Sequence, residues 1–191
     1  MFSHFLQFLK DPNVASLAPT VPRCIEEILE PVQFNKDIFM IEYGAGDGAI
    51  TEVILNKMSS NSRLLILETN NSFISVLRER FVDPRITIIH DSVENIKNVC
   101  REIGLNNANY VVSGVPFSFL RKNIISDVIK DTAGILQPKG KFIIYQSLVN
   151  TLTRHLYMRR EVEKYFNIRS KKNLFYNFPP LFVLEAEVIY V

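Results

Sequence analysis

An α/β domain built on one mostly parallel sheet, with an antiparallel strand near its C-terminus, is the fold class that the sequence predicts. Three observations lead there. Short apolar runs alternate with segments of helical periodicity between residues 38 and 146, a glycine-rich turn joins the first run to the first of those helices, and the tail from Leu181 alternates apolar with polar residues. Sustained β-α alternation implies right-handed crossovers, and therefore parallel neighbours.

Residues 1–191 suit a single domain, large enough to bury one core without staples. Phe2, Phe5, Leu6 and Leu9 share a helical face before Asp11-Pro12, so residues 1–19 are expected to form a short amphipathic helix and an entry segment. That helix either packs on its own domain or touches a membrane; Lys10 as its only permanent cation is few for an interfacial helix. A second helix follows Thr20, a plausible N-cap, with Pro22 in its first turn and Cys24, Ile25, Ile28 and Leu29 on one side.

The run Ile38 to Tyr43 is too short for a helix, ends in Glu42-Tyr43 and passes into Gly44-Ala45-Gly46-Asp47-Gly48. Ile50, Val53, Ile54 and Lys57 then fall at helical spacing, which gives strand, glycine turn, helix. Without β-carbons, Gly44 and Gly46 let a ligand approach the chain, and the amides at the helix start face that ligand. Such a turn cradles a nucleotide. Gly44, Gly46 and Ala49 also satisfy the looser dinucleotide pattern G-x-G-x-x-G/A, so the turn alone leaves a nicotinamide-dependent oxidoreductase open.

Arg63 to Glu68 reads as a strand buried on both faces and again ends in an acid. Asn71 can cap the next helix, whose inward side is Phe73, Ile74, Leu77 and Phe81. Arg85 to His90 is a third strand, followed by Asp91-Ser92; Val93 to Ile103 is helical, and Gly104 suits its C-terminal cap. Asn109 to Ser113 is a fourth strand running into Gly114-Val115-Pro116-Phe117. A helix over residues 123–134, a turn at Pro138-Lys139-Gly140 and a strand from Phe142 to Gln146 complete the alternation. A basic amphipathic helix from Thr151 to Phe166 and a hairpin-like stretch around Arg169 to Tyr176 precede the tail. There Phe182, Leu184, Ala186, Val188 and Tyr190 share a face, as in an antiparallel strand at or near a sheet edge.

Composition narrows the class further. No apolar run approaches eighteen residues and the start lacks a basic segment with a cleavage site, so a cytoplasmic protein is expected. Cys24 and Cys100 are far apart and read as buried thiols; no metal site is expected, and His4, His90 and His155 are scattered singly. Residues 141–191 hold 8 basic and 4 acidic side chains, against 14 and 16 before them. Arg154, His155, Arg159, Arg160, Lys164, Arg169, Lys171 and Lys172 carry this excess, part of it solvated surface and part a rim for phosphate of lipid headgroups or RNA. Phe175, Tyr176, Phe178 and Leu181 lie beside it as apolar partners or as edge-strand core.

In an open parallel sheet a ligand sits beyond the carboxyl ends of the strands. Four successive strand ends here carry Glu42, Glu68, Asp91 and Ser113-Gly114. Glu42 two residues before the first glycine, with Asp91-Ser92 after the third strand, is where the chain resembles the class I S-adenosylmethionine-dependent methyltransferases. The resemblance covers roughly residues 17 to 191 and implies a Rossmann-like, seven-stranded sheet with one antiparallel strand. It implies S-adenosyl-L-methionine as cofactor, with Glu42, Tyr43, Gly44, Ala45, Gly46 and Gly48 at the methionine part. Glu68 and Thr69 then lie at ribose, and Asp91, Ser92 and Ser113 complete the cofactor site toward adenine.

Two subfamilies look closest. Ser16-Leu17-Ala18-Pro19-Thr20, Val112-Ser113-Gly114-Val115-Pro116 and Asn177-Phe178-Pro179-Pro180 resemble the bacterial phospholipid N-methyltransferases that act on phosphatidylethanolamine. The fourth-strand region is also similar to the rRNA adenine N6-dimethyltransferases, whose motif is Asn-(Leu/Ile)-Pro-(Tyr/Phe); here Gly114 replaces the asparagine and no appended RNA-binding domain fits the length. A phospholipid amine is therefore the first-choice acceptor, with peripheral contact to an anionic membrane, and RNA adenine the second. A module that holds the cofactor without turnover is the non-enzymatic alternative. Transfer to nitrogen requires an uncharged amine in line with the methyl group and shielded from water, and no protein nucleophile. The candidate catalytic set is Ser113 and the backbone of Gly114 for positioning the amine, Phe117 as wall or cation partner, and Tyr145 as a hydroxyl near the methyl, with Tyr43 a second such hydroxyl.

Overall fold

The computed structural model describes residues 20–148 and 155–189. The expected N-terminal helix, the Ser16 to Pro19 part of the entry motif, residues 151–154 including Arg154, and Tyr190 lie outside the described residues.

Seven strands form one sheet in the order β3-β2-β1-β4-β5-β7-β6. They are β1 (Phe39–Tyr43), β2 (Arg63–Glu68), β3 (Ile86–His90), β4 (Ala108–Ser113), β5 (Leu136–Ser147), β6 (Phe166–Leu174) and β7 (Leu181–Val188). β1 to β5 are mutually parallel, and β7 is antiparallel to both β5 and β6, between which it is inserted. The helices are α1 (Pro22–Leu29), α2 (Ala49–Lys57), α3 (Asn71–Arg80), α4 (Ile96–Glu102), α5 (Lys122–Ile135) and α6 (His155–Tyr165). Short 3-10 turns at Val93–Asn95 and Phe117–Phe119 precede α4 and α5.

Side-chain alternation along each strand distributes the core over both faces. Ile41, Tyr43, Leu65, Leu67, Phe142 and Ile144 join residues of α4, α5 and α6 in one cluster. Met40, Leu64, Ile66, Val112 and Ile143 join α1, α2 and Leu77 of α3 in the other. Phe142 is the aromatic centre of the first, with ring centroids 6.4 Å from Tyr43, 6.5 Å from Phe117 and 5.6 Å from Phe166.

Several local expectations shift by a residue or change form. Asn70, not Asn71, caps α3, its carboxamide oxygen accepting from the amides of Ser72 and Phe73. Val21, not Thr20, is the cap of α1; no side chain bonds its free amides locally, and the Val21 amide instead donates 3.0 Å to Asn177, 156 positions away. β5 begins before the Pro138-Lys139-Gly140 turn, because Leu136 already pairs with Ala108 and the chain loops out before Lys141 rejoins Tyr110. Residues 166–174 are one long strand rather than a hairpin. As the outer edge it exposes Asn167, Arg169, Lys171 and Asn173 in alternation, a polar row that discourages edge pairing.

Much of the basic C-terminal excess is internally neutralised. Arg159 pairs with Glu163, Lys164 with Glu161, Arg169 with Glu187 and Lys172 with Glu30. Four of the cations from which a phosphate-facing rim was expected in part are thus held in ion pairs. Cys24 and Cys100 are buried free thiols. Among the described residues no helix is long and apolar enough to cross a membrane.

Truncating Phe142 to alanine removes the ring on which three others pack and should cost roughly 3–5 kcal/mol. Urea denaturation of Phe142→Ala against the parent chain measures that loss.

Candidate active site at the carboxyl ends of the strands

The site starts from main chain. Gly44, Gly46 and Gly48 all have positive φ, at 70°, 57° and 85°, so the chain leaving β1 coils left-handed before α2 begins. Gly48 is doubly constrained: besides its φ, a β-carbon there would stand 2.8 Å from Phe81 Cζ. The neighbouring strand fixes the turn in place, since the Gly44 amide donates to Leu67 O at 2.8 Å and the Gly46 amide to Glu68 Oε2 at 3.0 Å. Glu68 also takes the amides of Thr69 and Asn70 on Oε1, at 2.8 and 2.9 Å. One carboxylate therefore ties the β2 exit to the glycine turn.

Glu42 is 1% exposed on β1. Thr51, one turn into α2, donates to its Oε2 at 2.6 Å, while Oε1 is buried with no partner among the described residues. Loss of hydration pushes its pKa up to about 7, against the Thr51 bond that lowers it, with Glu68 and Asp47 adding repulsion. Buried polar atoms are ordinarily hydrogen-bonded, so the bare Oε1 singles Glu42 out as a candidate contact for a ligand donor. Asp91, after β3, accepts from the Ser92 amide (2.6 Å) and from Asn95 Nδ2 (2.7 Å), both on Oδ1. His90 bonds the Thr69 carbonyl through Nε2 at 2.9 Å, a structural link between the β2 and β3 exits.

The β4 exit is held as firmly. The Gly114 amide donates to Tyr43 O at 2.9 Å, Ser113 is buried with Oγ accepting from the Val115 amide at 3.3 Å, and Gln146 Nε2 donates to Val115 O at 3.0 Å. Tyr145 of β5 crosses over Gly114, so that a β-carbon at 114 would stand 2.6 Å from Tyr145 Cζ and closer still to its hydroxyl oxygen. Gly114 cannot carry a side chain while Tyr145 keeps this place. Burial, first, and then the nearby charges of Glu42, Asp47 and Glu68 push the Tyr145 hydroxyl far up, so it stays a neutral phenol.

Strand ends thus bring Glu42, Glu68, Asp91 and Ser113-Gly114 to one end of four adjacent strands, with Glu42 opposite Val112, Tyr43 opposite Ser113 and Glu68 opposite His90. Two of the expected side chains lie in the core cluster on the α5 side. Tyr43 alternates with Glu42 and therefore points to the opposite face, where its hydroxyl lies 3.1 Å from Thr132 Oγ1 in the core; only its carbonyl serves the site. Phe117, 1% exposed, packs against Phe142 in the same cluster. Thr51, Gln146 and Ser118, whose Oγ is buried without a partner among the described residues, were not singled out by sequence. A threonine on the inward side of an otherwise apolar helix was the available signal for Thr51. Among the described residues no group of three His, Cys, Asp or Glu could hold a metal ion.

This sheet order with the glycine turn after β1 is the architecture of a class I S-adenosylmethionine-dependent methyltransferase, and solved structures bear that out. The N-methyltransferase NodS of Bradyrhizobium japonicum WM9, in complex with S-adenosyl-L-homocysteine, superposes with a TM-score of 0.74 at 11% identity, over 99% of this chain and 98% of its own. Magnesium protoporphyrin IX methyltransferase of Synechocystis PCC 6803, with bound cofactor, reaches 0.66 at 10% identity, covering 87% of this chain and 77% of its own. The family model described as ribosomal RNA adenine dimethylase matches residues 7–168, and the chain belongs to that family.

Two curated relatives divide on the acceptor. An ornithine lipid N-methyltransferase of Singulisphaera acidiphila is 29% identical over 130 residues, 68% of this chain and 68% of its own length. Ribosomal RNA small subunit methyltransferase A of Mycoplasma capricolum is 26% identical over 124 residues, 59% of this chain; the match spans 44% of that relative. The enzyme is a methyltransferase whose cofactor is S-adenosylmethionine, which sets aside the nicotinamide alternative. The unpartnered Glu42 oxygen and the left-handed glycine turn fit that cofactor, setting a buried hydrogen-bond acceptor beside main chain that no side chain covers at Gly46.

Because the Glu42 pKa is raised on folding, its ionisation opposes the folded state. The cost is absent below the ordinary value of 4.5, grows with pH, and is complete above about 7, where it amounts to roughly 3 kcal/mol. Glu42→Gln should therefore gain stability relative to the parent as pH rises from 4.5 to 8 in cofactor-free protein. Paired thermal denaturation curves across that range show it as a widening difference in Tm.

Proposed function

We propose that the chain methylates the amine nitrogen of a lipid headgroup, of the phosphatidylethanolamine type. The observation that carries this is the Gly114–Tyr145 pair: the β4 exit offers main chain and a neutral phenol, and has no room for the carboxamide found there in rRNA adenine dimethyltransferases. A planar adenine loses the carboxamide, which donates and accepts side by side, whereas a flexible primary amine needs only a single acceptor such as the phenol oxygen or a carbonyl. The lipid N-methyltransferase relative, matched over more of both chains than the ribosomal one, supports the same reading.

In this reading Glu42 and the glycine turn hold the methionine part, Glu68 the ribose and Asp91-Ser92 the adenine edge. Bound there, S-adenosylmethionine supplies a methyl carbon that already carries its leaving group. Ser113, the Gly114 main chain and the Tyr145 hydroxyl orient the uncharged acceptor nitrogen, and the buried walls of β1, β4 and β5 keep water away. The residues supply position rather than a nucleophile.

Transfer of labelled methyl to dispersed phosphatidylethanolamine, to ornithine lipid and to small-subunit rRNA, run in parallel, tests the acceptor. Label is expected in phosphatidylethanolamine, with Tyr145→Phe lowering kcat about tenfold through loss of one hydrogen bond. Label confined to ornithine lipid would move the acceptor to another lipid amine, and label confined to RNA would overturn the reading. Glu68→Ala, which removes the carboxylate shared by turn and ribose site, should weaken S-adenosylhomocysteine binding by roughly 1–3 kcal/mol in calorimetric titration.

A further inference from the structure

Seven large apolar side chains are exposed among the described residues, and their placement is uneven. Val76 and Val82 belong to α3 and its link to β3. The other five stand at the end of the sheet where β4 and β5 finish. Phe119 (52% exposed) follows the β4 exit, Leu156 (65%) opens α6, and Phe175 (72%), Tyr176 and Phe178 (76%) ride on the β6–β7 link. That link lies over the β5 exit, because Leu181 pairs with Ser147 and the Leu148 amide donates to Pro180 O at 2.8 Å.

The exposure of Phe175 and Phe178 does not come from a fraying loop. Asn177 between them is 3% exposed, accepts from the Val21 amide and donates from Nδ2 to Pro179 O at 2.8 Å; Tyr176 bonds Glu27, and Arg23 lies 4.6 Å above its ring. Two phenylalanines are therefore held outward on a pinned support. Isolated exposed apolar residues are ordinary, but a set gathered at one end of a fold marks an interaction surface.

Charge divides the same way. The first turns of α1 and α5, both at this end, contain no acid although helix starts favour one; Arg23 is offset by Glu27 one turn on, 3.8 Å away and bonded to Tyr176, so the cationic excess here rests on Arg121 and Lys122. Arg160 lies exposed one turn after Leu156. The other half of the same end holds Asp47 in the glycine turn and Asp91 and Glu94 after β3, together with Glu52 in the first turn of α2, which is paired with Arg80.

We propose that the β4–β5–β7–β6 half of this end docks onto an anionic lipid bilayer, the exposed phenylalanines and Leu156 entering the interfacial layer while the cations face headgroup phosphates. This rests on the lipid-amine reading of the site, and deepens it. A lipid headgroup does not leave its bilayer, so the acceptor loop Ser113 to Phe117 must come to the surface, and Phe119 directly after it touches down beside it. Apolar side chains flanked by cations are the composition that binds such a surface, and the acids of the cofactor half are left facing water.

The test uses the full chain and vesicles without any primary amine: phosphatidylcholine alone, and phosphatidylcholine mixed with phosphatidylglycerol. Co-sedimentation is expected with the mixed vesicles and should weaken as salt rises. Phe175→Ala/Phe178→Ala should lower the partition coefficient about tenfold or more, with S-adenosylhomocysteine affinity unchanged as the control for folding. Arg121→Gln/Lys122→Gln should reduce binding to the anionic vesicles only. Absence of partition, or a double phenylalanine variant that partitions like the parent, overturns the docking surface. So does loss of RNA retention in these variants with vesicle binding intact. Because the vesicles carry no acceptor, such a failure alongside continued transfer to detergent-dispersed phosphatidylethanolamine would sink the surface and leave the acceptor standing.

Discussion

The site depends on a parallel hydrogen-bond ladder that continues past the ends of the strands. The Gly44 amide bonds Leu67 O and the Gly114 amide bonds Tyr43 O, each one rung beyond the last regular pair. Loops that would otherwise be free to wander are extensions of the sheet, with positions set by β2 and β1 rather than by their own sequences. Gly46 adds a third anchor through Glu68. Loops anchored through main chain in this way are preorganised, their positions fixed before any ligand arrives.

Burial gives the same architecture its electrostatics. Glu42 is desolvated because β1 is central, covered by α2 on one face and flanked by β2 and β4. Thr51 satisfies one of its oxygens, and the other is a buried acceptor without a partner among the described residues, a rarity in folded proteins. The three acids sit on the β1–β3 half of the strand ends, while the β4–β6 half presents apolar side chains and cations. The two halves of the strand ends thus differ in character across the β1–β4 boundary.

Strand alternation decides which of the expected residues can act. Glu42 and Tyr43 are neighbours in sequence, so one must face α2 and the other the α5 side; with Glu42 in the site, Tyr43 goes to Thr132 and the core. The same logic places Tyr145 on the face of Ile143, the Glu42 side, and Phe142 on the Tyr43 side. Replacing asparagine by glycine at 114 looked like a simple loss. In three dimensions the space is taken by a phenol from the next strand, an exchange of one polar group for another.

Taken alone, the sequence determined the α/β class, the six elements that became β1 to β5 and β7, the antiparallel tail, and the acids and glycines at the strand ends, but not β6. These follow from local periodicity and from backbone angles that few residues other than glycine adopt, both of which are written residue by residue. Only the tertiary structure decided that β7 lies between β5 and β6, that Asn177 caps the amide of Val21, that Thr51 supports Glu42 and that most C-terminal cations are paired. Each of those is a contact between distant positions, or a choice of sheet face, and it exists only once packing has brought the partners together.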